Sequence, residues 1–484
     1  MATTYYVDHQ YGSGGDGSEG SPYDNVNDIT LVDGDTVLFK RGSVHDVTWA
    51  WIITVPNITV DAYGDESMPR PVWDNTGGTG SRSLHIQAGN FSISNMHIKS
   101  CSANTGNTKG IEVYSNVVGL TVRNCKFEGQ ANTANGVFYA IDSGASFPLQ
   151  ITDNEVVGAG VGFWFRNTSA VAGERLLSST TPSYISRNIL HNWSFADSHD
   201  GTGDGIGFSN VNNEESDMNY LLTVSDNVIN GWSENGIDLK CVSKVICERN
   251  ILDSVASVAR TGSTGASGIT LGAGSGTGYV GGHSQIIRNN VLRNIQGVSG
   301  DTTNEFTAIS SRGASDCDIY NNILIDIQHS FSVFVANEND GNRFYNNTII
   351  RDIGGTDGTN DFYVIRADGA NNVLKIYNNV FIDCASTDTF VSGDSGELEY
   401  GYNCFDQTYD FVSGTGTLTN SGSNVVADPL LDDNYYPTQN SPCIGAGTVL
   451  ISDKDAYGRY NMTDGNHIGA VWPEEEMTIT RRQF

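Results

Sequence analysis

The chain has 484 residues with 56 Gly, only 10 Pro, 38% hydrophobic and 17% charged residues. This apolar content is too high and too evenly spread for a disordered chain, and the Gly/Asn/Ser/Thr/Asp background excludes long helices as the main architecture. Its 56 acidic residues against 26 basic ones give a net charge of −30, a surface that repels nucleic-acid phosphates and stays soluble.

No apolar run reaches the roughly 18 residues that a membrane span needs. The opening Met1 to Tyr6 has neither the basic segment nor the apolar core of a signal peptide, which fits a removed signal or a virion protein. The expected location is therefore extracellular or virion-associated. Eight cysteines, at 101, 125, 241, 247, 317, 384, 404 and 443, form no CxxC pair and no zinc spacing. They read as small buried apolar residues, with one stacked disulfide such as Cys101 with Cys125 also allowed.

A short phrase recurs along the chain: alternating apolar residues, an Asn, then two or three more apolar positions. It runs from Phe91-Ser-Ile-Ser-Asn95 through Leu120-Thr-Val-Arg-Asn124, Leu149-Gln-Ile-Thr-Asp-Asn154 and Tyr184-Ile-Ser-Arg-Asn188 to Leu222-Thr-Val-Ser-Asp-Asn227 and Val245-Ile-Cys-Glu-Arg-Asn250. Later copies centre on Asn290, Asn322, Asn347, Asn379 and Asn403. Each copy reads as strand, corner, strand. Asn tolerates the left-handed backbone of a sharp corner, and stacked Asn side chains can hydrogen-bond from coil to coil. The prediction is an all-β, right-handed single-stranded parallel β-helix of about eleven or more coils. It forms one continuous domain: a cap and first coils over 1–90, a central helix with a groove over 91–405, and final coils and tail over 406–484.

A more individual strand follows each phrase. In order they include Gly136 to Asp142, Gly160 to Arg166, Gly203 to Ser209, Asn235 to Lys240, Ser267 to Leu271, Thr307 to Arg312 and Phe362 to Arg366. Placing Ile237 and Leu239 inside turns Asp238 and Lys240 outward. The same register exposes Trp164 and Arg166, with Arg312 and Arg366 further along. Asp204 opens its strand, Glu234 lies just before the next, and His199 and Asp200 sit on the preceding loop. One face thus gathers an aromatic ring, carboxylates, a lysine and arginines. Asp238 with Lys240 also fits a solvated ion pair, and Asp200 to Asp204 a plain Asx turn.

The chain resembles the right-handed parallel β-helix proteins of the pectate-lyase superfamily. Tyr5-Tyr-Val-Asp8, Asp33-Gly-Asp-Thr-Val-Leu-Phe-Lys-Arg-Gly42, Ser441-Pro-Cys-Ile-Gly-Ala-Gly447 and His467-Ile-Gly-Ala470 carry the resemblance. Gly236-Ile-Asp-Leu-Lys240 looks like the lysine coil of the alginate lyase and chondroitinase B family, and Ser311-Arg-Gly313 faintly like its arginine strand. Asp200, Asp204 and Asp238 resemble the calcium carboxylates of a pectate-cleaving family.

The resemblance implies a polysaccharide depolymerase, read first as a lyase cleaving a uronate glycan by β-elimination. In that reading Lys240 is the base if its pKa is lowered, and Asp200, Asp204 and Asp238 hold Ca²⁺. Arg312 or Arg166 meets the substrate carboxylate or the developing charge, Trp164 stacks on a sugar, Arg366 and Glu234 are further substrate contacts, and His199, Asp204 and Asp238 are further catalytic candidates. A glycoside hydrolase of phage-tailspike type would instead pair Asp204 with Asp238 or Glu234. A non-catalytic glycan-binding spike is the third class. The partner in each case is an extended polysaccharide, with a homotrimer expected if the chain is a phage spike.

Overall fold

The computed structural model describes residues 1–46, 50–75, 81–99, 107–114, 117–129, 137–144, 146–166, 181–193, 203–209, 221–240, 242–254, 266–272, 282–295, 306–327, 329–334, 341–352, 364–367, 373–384, 390–392, 397–408, 411–413, 417–433, 435, 437–448 and 468. The regular structure in them is strands, apart from one 3₁₀ turn at Val26–Asp28. Contacts divide the chain into two compact units, Met1–Cys241 with Val258–Ser263, and Val242–Ser257 with Thr264–Phe484.

In both units three strands recur per coil, and each pairs in parallel with its counterpart one coil away. In the first unit, Leu222–Ser225 joins sheet 1, Val228–Asn230 sheet 2 and Asn235–Lys240 sheet 3. Among the described residues the first unit carries eight, seven and seven strands in these sheets, and the second seven, seven and six. Parallel neighbours reached by crossovers through two other sheets form a parallel β-helix, and the right hand is the rule for such crossovers. The fold predicted from the repeat is the one observed.

The core is built in columns. Ile111, Ile141, Phe163, Ile206 and Ile237 pair one after another across sheet 3 of the first unit, each fully buried. Each such side chain contributes roughly 1.5–3 kcal/mol by leaving water. Beside them the residues are small. A Cβ on Gly162 would lie 2.2 Å from the Gly205 carbonyl oxygen and 2.5 Å from Leu190 Cδ2, and one on Gly205 2.4 Å from the Gly236 oxygen. Gly110, Gly162 and Gly205 thus mark positions where a Cβ would meet the next coil's backbone and a core side chain.

The two roles that the sequence reading gave to every repeated asparagine, corner and ladder, fall on different residues. Asn154, Asn188 and Asn227 in the first unit are buried, as are Asn250, Asn290, Asn322, Asn347, Asn379 and Asn403 in the second. Asn188 Oδ1 accepts from the backbone N–H (3.0 Å) and Nδ2 (2.9 Å) of Asn154, while its own Nδ2 donates to Ile151 O and Asn227 Oδ1, both at 2.9 Å. The left-handed corner lies one residue earlier, at Asp153, Arg187 and Asp226, with φ of 62°, 57° and 58°. In the first coils Asn95 and Asn124 take the corner themselves, at φ 59° and 50°. Met96 and Cys125 then fill the buried position, and Asn154 Oδ1 accepts from the Cys125 backbone N–H at 2.9 Å. Cys125 is a buried, reduced thiol. Cys101, its suggested disulfide partner, lies outside the described residues.

Candidate active site

On sheet 3 of the first unit, one outward column runs His85, Glu112, Asp142, Trp164, Gly207, Asp238. It holds a carboxylate, an indole and a second carboxylate on neighbouring coils, separated by one glycine. The glycine matters because the indole lies over it. A Cβ on Gly207 would sit 2.3 and 2.4 Å from Cζ3 and Cε3 of Trp164, and 3.1 Å from Asp204 Oδ2. The indole edge and that carboxylate oxygen therefore converge on the same point.

Asp204 precedes the strand Ile206–Ser209 and is 2% exposed. Its Oδ1 accepts from both the backbone N–H (3.0 Å) and Nδ2 (2.8 Å) of Asn235, leaving Oδ2 toward Trp164. Asn235 Nδ2 also lies 3.5 Å from Asp238 Oδ2. The two carboxylates are therefore no further apart at these oxygens than the sum of those contacts. Burial drives the Asp204 pKa well above the ordinary aspartate value, and the charges of Glu234 and Asp238 raise it further against the opposing effects of Lys240 and Asn235. Asp204 is thus the group of this cluster whose surroundings favour the protonated form.

Lys240 is the opposite case. Its Nζ stands 2.7 Å from Asp238 Oδ2, and its backbone N–H donates to Asp238 Oδ1 at 2.9 Å. Burial by itself would favour neutral lysine, but Asp238, Asp204 and Glu234 outweigh it and hold the pKa above the ordinary lysine value. The condition attached to Lys240 as a base, a lowered pKa, is the reverse of what its surroundings impose. Glu234 is half-buried and so the carboxylate of this group with solvent access.

The coils before this cluster carry a charge network. Asp142, 3% exposed, accepts from Arg166 Nε at 2.8 Å and Nη2 at 2.6 Å, and Lys109 Nζ approaches it at 2.7 Å. Lys109 and Arg82 both also pair with Glu112, beside a buried His85 stacked on Tyr114 at 5.0 Å. Tyr139 lies against these groups: burial raises its pKa, and Asp142, Asp204 and Glu234 add to the rise against Arg166.

The structure thus gathers Trp164, Arg166, Asp204, Glu234, Asp238 and Lys240 on one face of the first unit, with Arg166 engaged by Asp142. Arg312 ends the strand Phe306–Arg312 of the second unit, where it pairs with Gly272 and Phe334. Arg366 lies on Ile365–Ala367 of the same unit. His199 and Asp200 fall outside the described residues. Sequence reasoning passed over Asn235, Tyr139, Asp142 and Gly207. Asn235 and Asp142 stand in strands that it aligned, but their partners, 31 and 24 residues away, leave no local trace.

Of the predicted calcium set, Asp200 lies outside the described residues, and the other two carboxylates are engaged by protein groups. Asp238 already faces an ammonium at 2.7 Å, and Asp204 favours its protonated form with Oδ1 taken by two N–H groups. Ca²⁺ asks for several ionised, unshared oxygens.

No family model and no curated protein matches the chain. Solved structures similar to it include alginate lyase AlyF-OU02, at 13% identity over 91% of this chain and 92% of that one, with a TM-score of 0.44. A mutant tailspike protein of E. coli bacteriophage HK620 in complex with a pentasaccharide is similar at 11% identity, over 88% and 67%, TM-score 0.44. The GH136 lacto-N-biosidase of Eubacterium ramulus is similar at 14% identity, over 86% and 68%, TM-score 0.38. Identity this low leaves the chemistry to be argued from the residues themselves.

Proposed function

We propose that the protein is a polysaccharide depolymerase that cleaves by hydrolysis, with Asp204 as the general acid. The observation behind this reading is the setting of two groups on one face. Asp204 is buried beside Glu234 and Asp238, which raises its pKa, while Lys240 stands 2.7 Å from Asp238, which raises its own. A buried carboxyl with a raised pKa is suited to act as a general acid. β-Elimination would need Lys240 to give up its proton in the ground state, against its ion pair with Asp238 at 2.7 Å and the charge of Glu234. It would also need Arg166 to turn from Asp142 to the substrate.

In the proposed mechanism a sugar ring stacks on Trp164, whose face supplies apolar contact and whose edge overlies Gly207. Asp204 protonates the glycosidic oxygen through Oδ2, the oxygen not engaged by Asn235. Glu234 is the carboxylate assigned to the anomeric side. Asp238, fully buried and fixed by Lys240, supplies the negative charge that helps keep Asp204 protonated until the bond breaks. Lys240 pairs with Asp238 at 2.7 Å and so offsets the cost of burying that carboxylate. The coils of the first unit's sheet 3, spaced by about 4.8 Å, offer a glycan chain successive footholds beyond these residues.

The test is product analysis on a panel of neutral and acidic polysaccharides. New reducing ends without ultraviolet absorbance of an unsaturated sugar are expected. Asp204→Asn should lose polysaccharide cleavage yet keep much of its activity on aryl glycosides, whose leaving groups need no proton. Unsaturated products abolished by Lys240→Ala would overturn the proposal in favour of a lyase. Binding with neither product would leave the spike reading.

A further inference from the structure

The C-terminal segment of the second unit is attached to its coils at several points. Thr448 and Asn378 exchange two hydrogen bonds, Asn378 Nδ2 donating to Thr448 O at 2.7 Å and the Thr448 N–H donating to Asn378 Oδ1 at 2.9 Å. Asn378 there serves Thr448 as a strand neighbour would. Nearby, Val380, Cys404, Cys443 and Ile468 form one fully buried cluster, flanked by Ile382, Val425, Leu431 and Ala446. Val380 and Cys404 come from adjacent coils. Cys443 and Ile468 come from the segment and are themselves joined by Ile468 N–H to Cys443 O at 3.1 Å. A cysteine of the helix therefore meets a cysteine of the segment inside an apolar core.

Other buried cysteines are differently placed. Cys125 Sγ faces the Arg123 carbonyl at 3.4 Å, Cys247 Sγ accepts from Asn250 Nδ2 at 3.4 Å, and Cys317 Sγ faces the Ser315 carbonyl at 3.3 Å. In each the sulfur meets an amide or carbonyl, as Cys404 Sγ also does at the Ala427 carbonyl (3.7 Å), but only Cys404 among these shares its buried cluster with a second cysteine, Cys443. Cys404 and Cys443 hydrogen-bond thiol to thiol, an arrangement that lowers the Cys443 pKa and raises that of Cys404. An apolar role alone would be served by Val or Ala at either position.

We propose that Cys404 and Cys443 form a disulfide when the chain folds under oxidising conditions, fastening the C-terminal segment to the helix. The folded thiols are both fully buried, so the exchange belongs to the stage before the segment docks. The oxidant class is a small or enzymatic disulfide such as oxidised glutathione. The Cys443 thiolate attacks one of its sulfurs and expels one glutathione thiolate. The deprotonated Cys404 sulfur then attacks Cys443 of the mixed disulfide and expels the second. Two cysteine thiols are oxidised, one glutathione disulfide is reduced to two thiols, and the two cysteine protons pass through solvent to them. The bond closes a loop of about forty residues, a length at which cross-linking removes substantial freedom from the unfolded segment. Solenoids depend on held ends, because each coil is supported only by its neighbours.

The experiment refolds the full chain in oxidised glutathione, denatures it without reductant, alkylates it and maps the peptides. One disulfide-linked peptide pair containing Cys404 and Cys443 is expected, lighter by two hydrogens than its reduced parts. Titratable thiols should fall from the eight of the sequence to six. Reduction should lower the melting temperature of the oxidised wild type and leave that of Cys443→Ser unmoved. Recovery of both cysteines alkylated, or Cys404 joined to a different cysteine, overturns the proposal. Should Cys443→Ser fail to fold, the wild-type peptide map still decides.

Discussion

Replacing Gly207 with alanine tests the geometry on which the proposed acid depends. The new methyl carbon would stand 2.3 and 2.4 Å from two indole carbons of Trp164 and 3.1 Å from Asp204 Oδ2. Carbon atoms rest at about 3.5–4.0 Å, so the ring must withdraw by roughly 1 Å or more. Overpacking of this kind costs about 1–3 kcal/mol in stability. The functional effect is separate. A displaced indole admits water beside Asp204, and since burial is the largest cause of that residue's raised pKa, the pKa falls toward the ordinary aspartate value. The acid then loses its proton at lower pH, so the alkaline limb of the kcat/KM profile moves to lower pH. The tilted ring also stacks less well, so KM rises. The assay is initial rate of reducing-end formation across pH, on variant protein whose circular dichroism matches the wild type. A variant that melts earlier but keeps the wild-type pH profile and KM would refute the argument, because the contact would then be packing alone.

Asp204→Asn should be inactive on polysaccharide but more stable than wild type at neutral pH. A raised carboxylate pKa means that the folded state binds the proton more tightly, so wild-type stability falls as pH rises from the ordinary aspartate value through the raised one. Melting temperatures should therefore converge at acid pH, and a gap independent of pH would contradict this. Lys240→Met leaves a fully buried Asp238 carboxylate without its cation, a loss of about 3–5 kcal/mol by urea unfolding. In any folded fraction the alkaline limb should move to higher pH, since Lys240 now lowers the Asp204 pKa. Asn322→Ala strips the Asn290 backbone N–H and Nδ2 of their acceptor, both at 3.0 Å, and Ile287 O of a donor. At about 1–3 kcal/mol per orphaned group, a loss under 1 kcal/mol would show that the ladder is not structural. Extensive dialysis against a chelator should leave cleavage unchanged, and activity restored only by Ca²⁺ would return the carboxylates to a metal role.

The fold was legible because the repeated phrase marks one residue per coil that must be buried and polar at once. What stayed illegible was which residue that is. Asn suits both the left-handed corner and the buried ladder, so Asn124 and Asn154 look equivalent in sequence although the structure places them one step apart. Alternation of strand side chains was enough to bury Ile237 and Leu239 and to turn Asp238 and Lys240 outward, and hence to bring most of the site together on paper. Charge states were not readable in that way. Lys240 resembles a catalytic lysine until Asp204, Glu234 and Asp238 are all seen around it. Arg166 looks available until Asp142, 24 residues away, is found holding two of its nitrogens.

The stacking itself explains why these pairings escape linear reading. In a solenoid the neighbour of a side chain is the residue one coil on, and coil lengths differ, so neighbours have no fixed separation in sequence. Trp164 meets Gly207 across an insertion, whereas Gly207 meets Asp238 only 31 residues later. The same arithmetic gives the site its economy. One glycine in an outward column lets a bulky ring from the preceding coil lie down beside the acid, and the following coil adds the charges that keep that acid protonated. Lengthening or shortening a loop between coils leaves these contacts intact, but shifting a strand by a single residue would turn Asp238 inward and its core neighbours out. A one-residue insertion within Asn235–Lys240 should therefore abolish both the site and the local fold, read as lost cleavage and a lowered melting temperature.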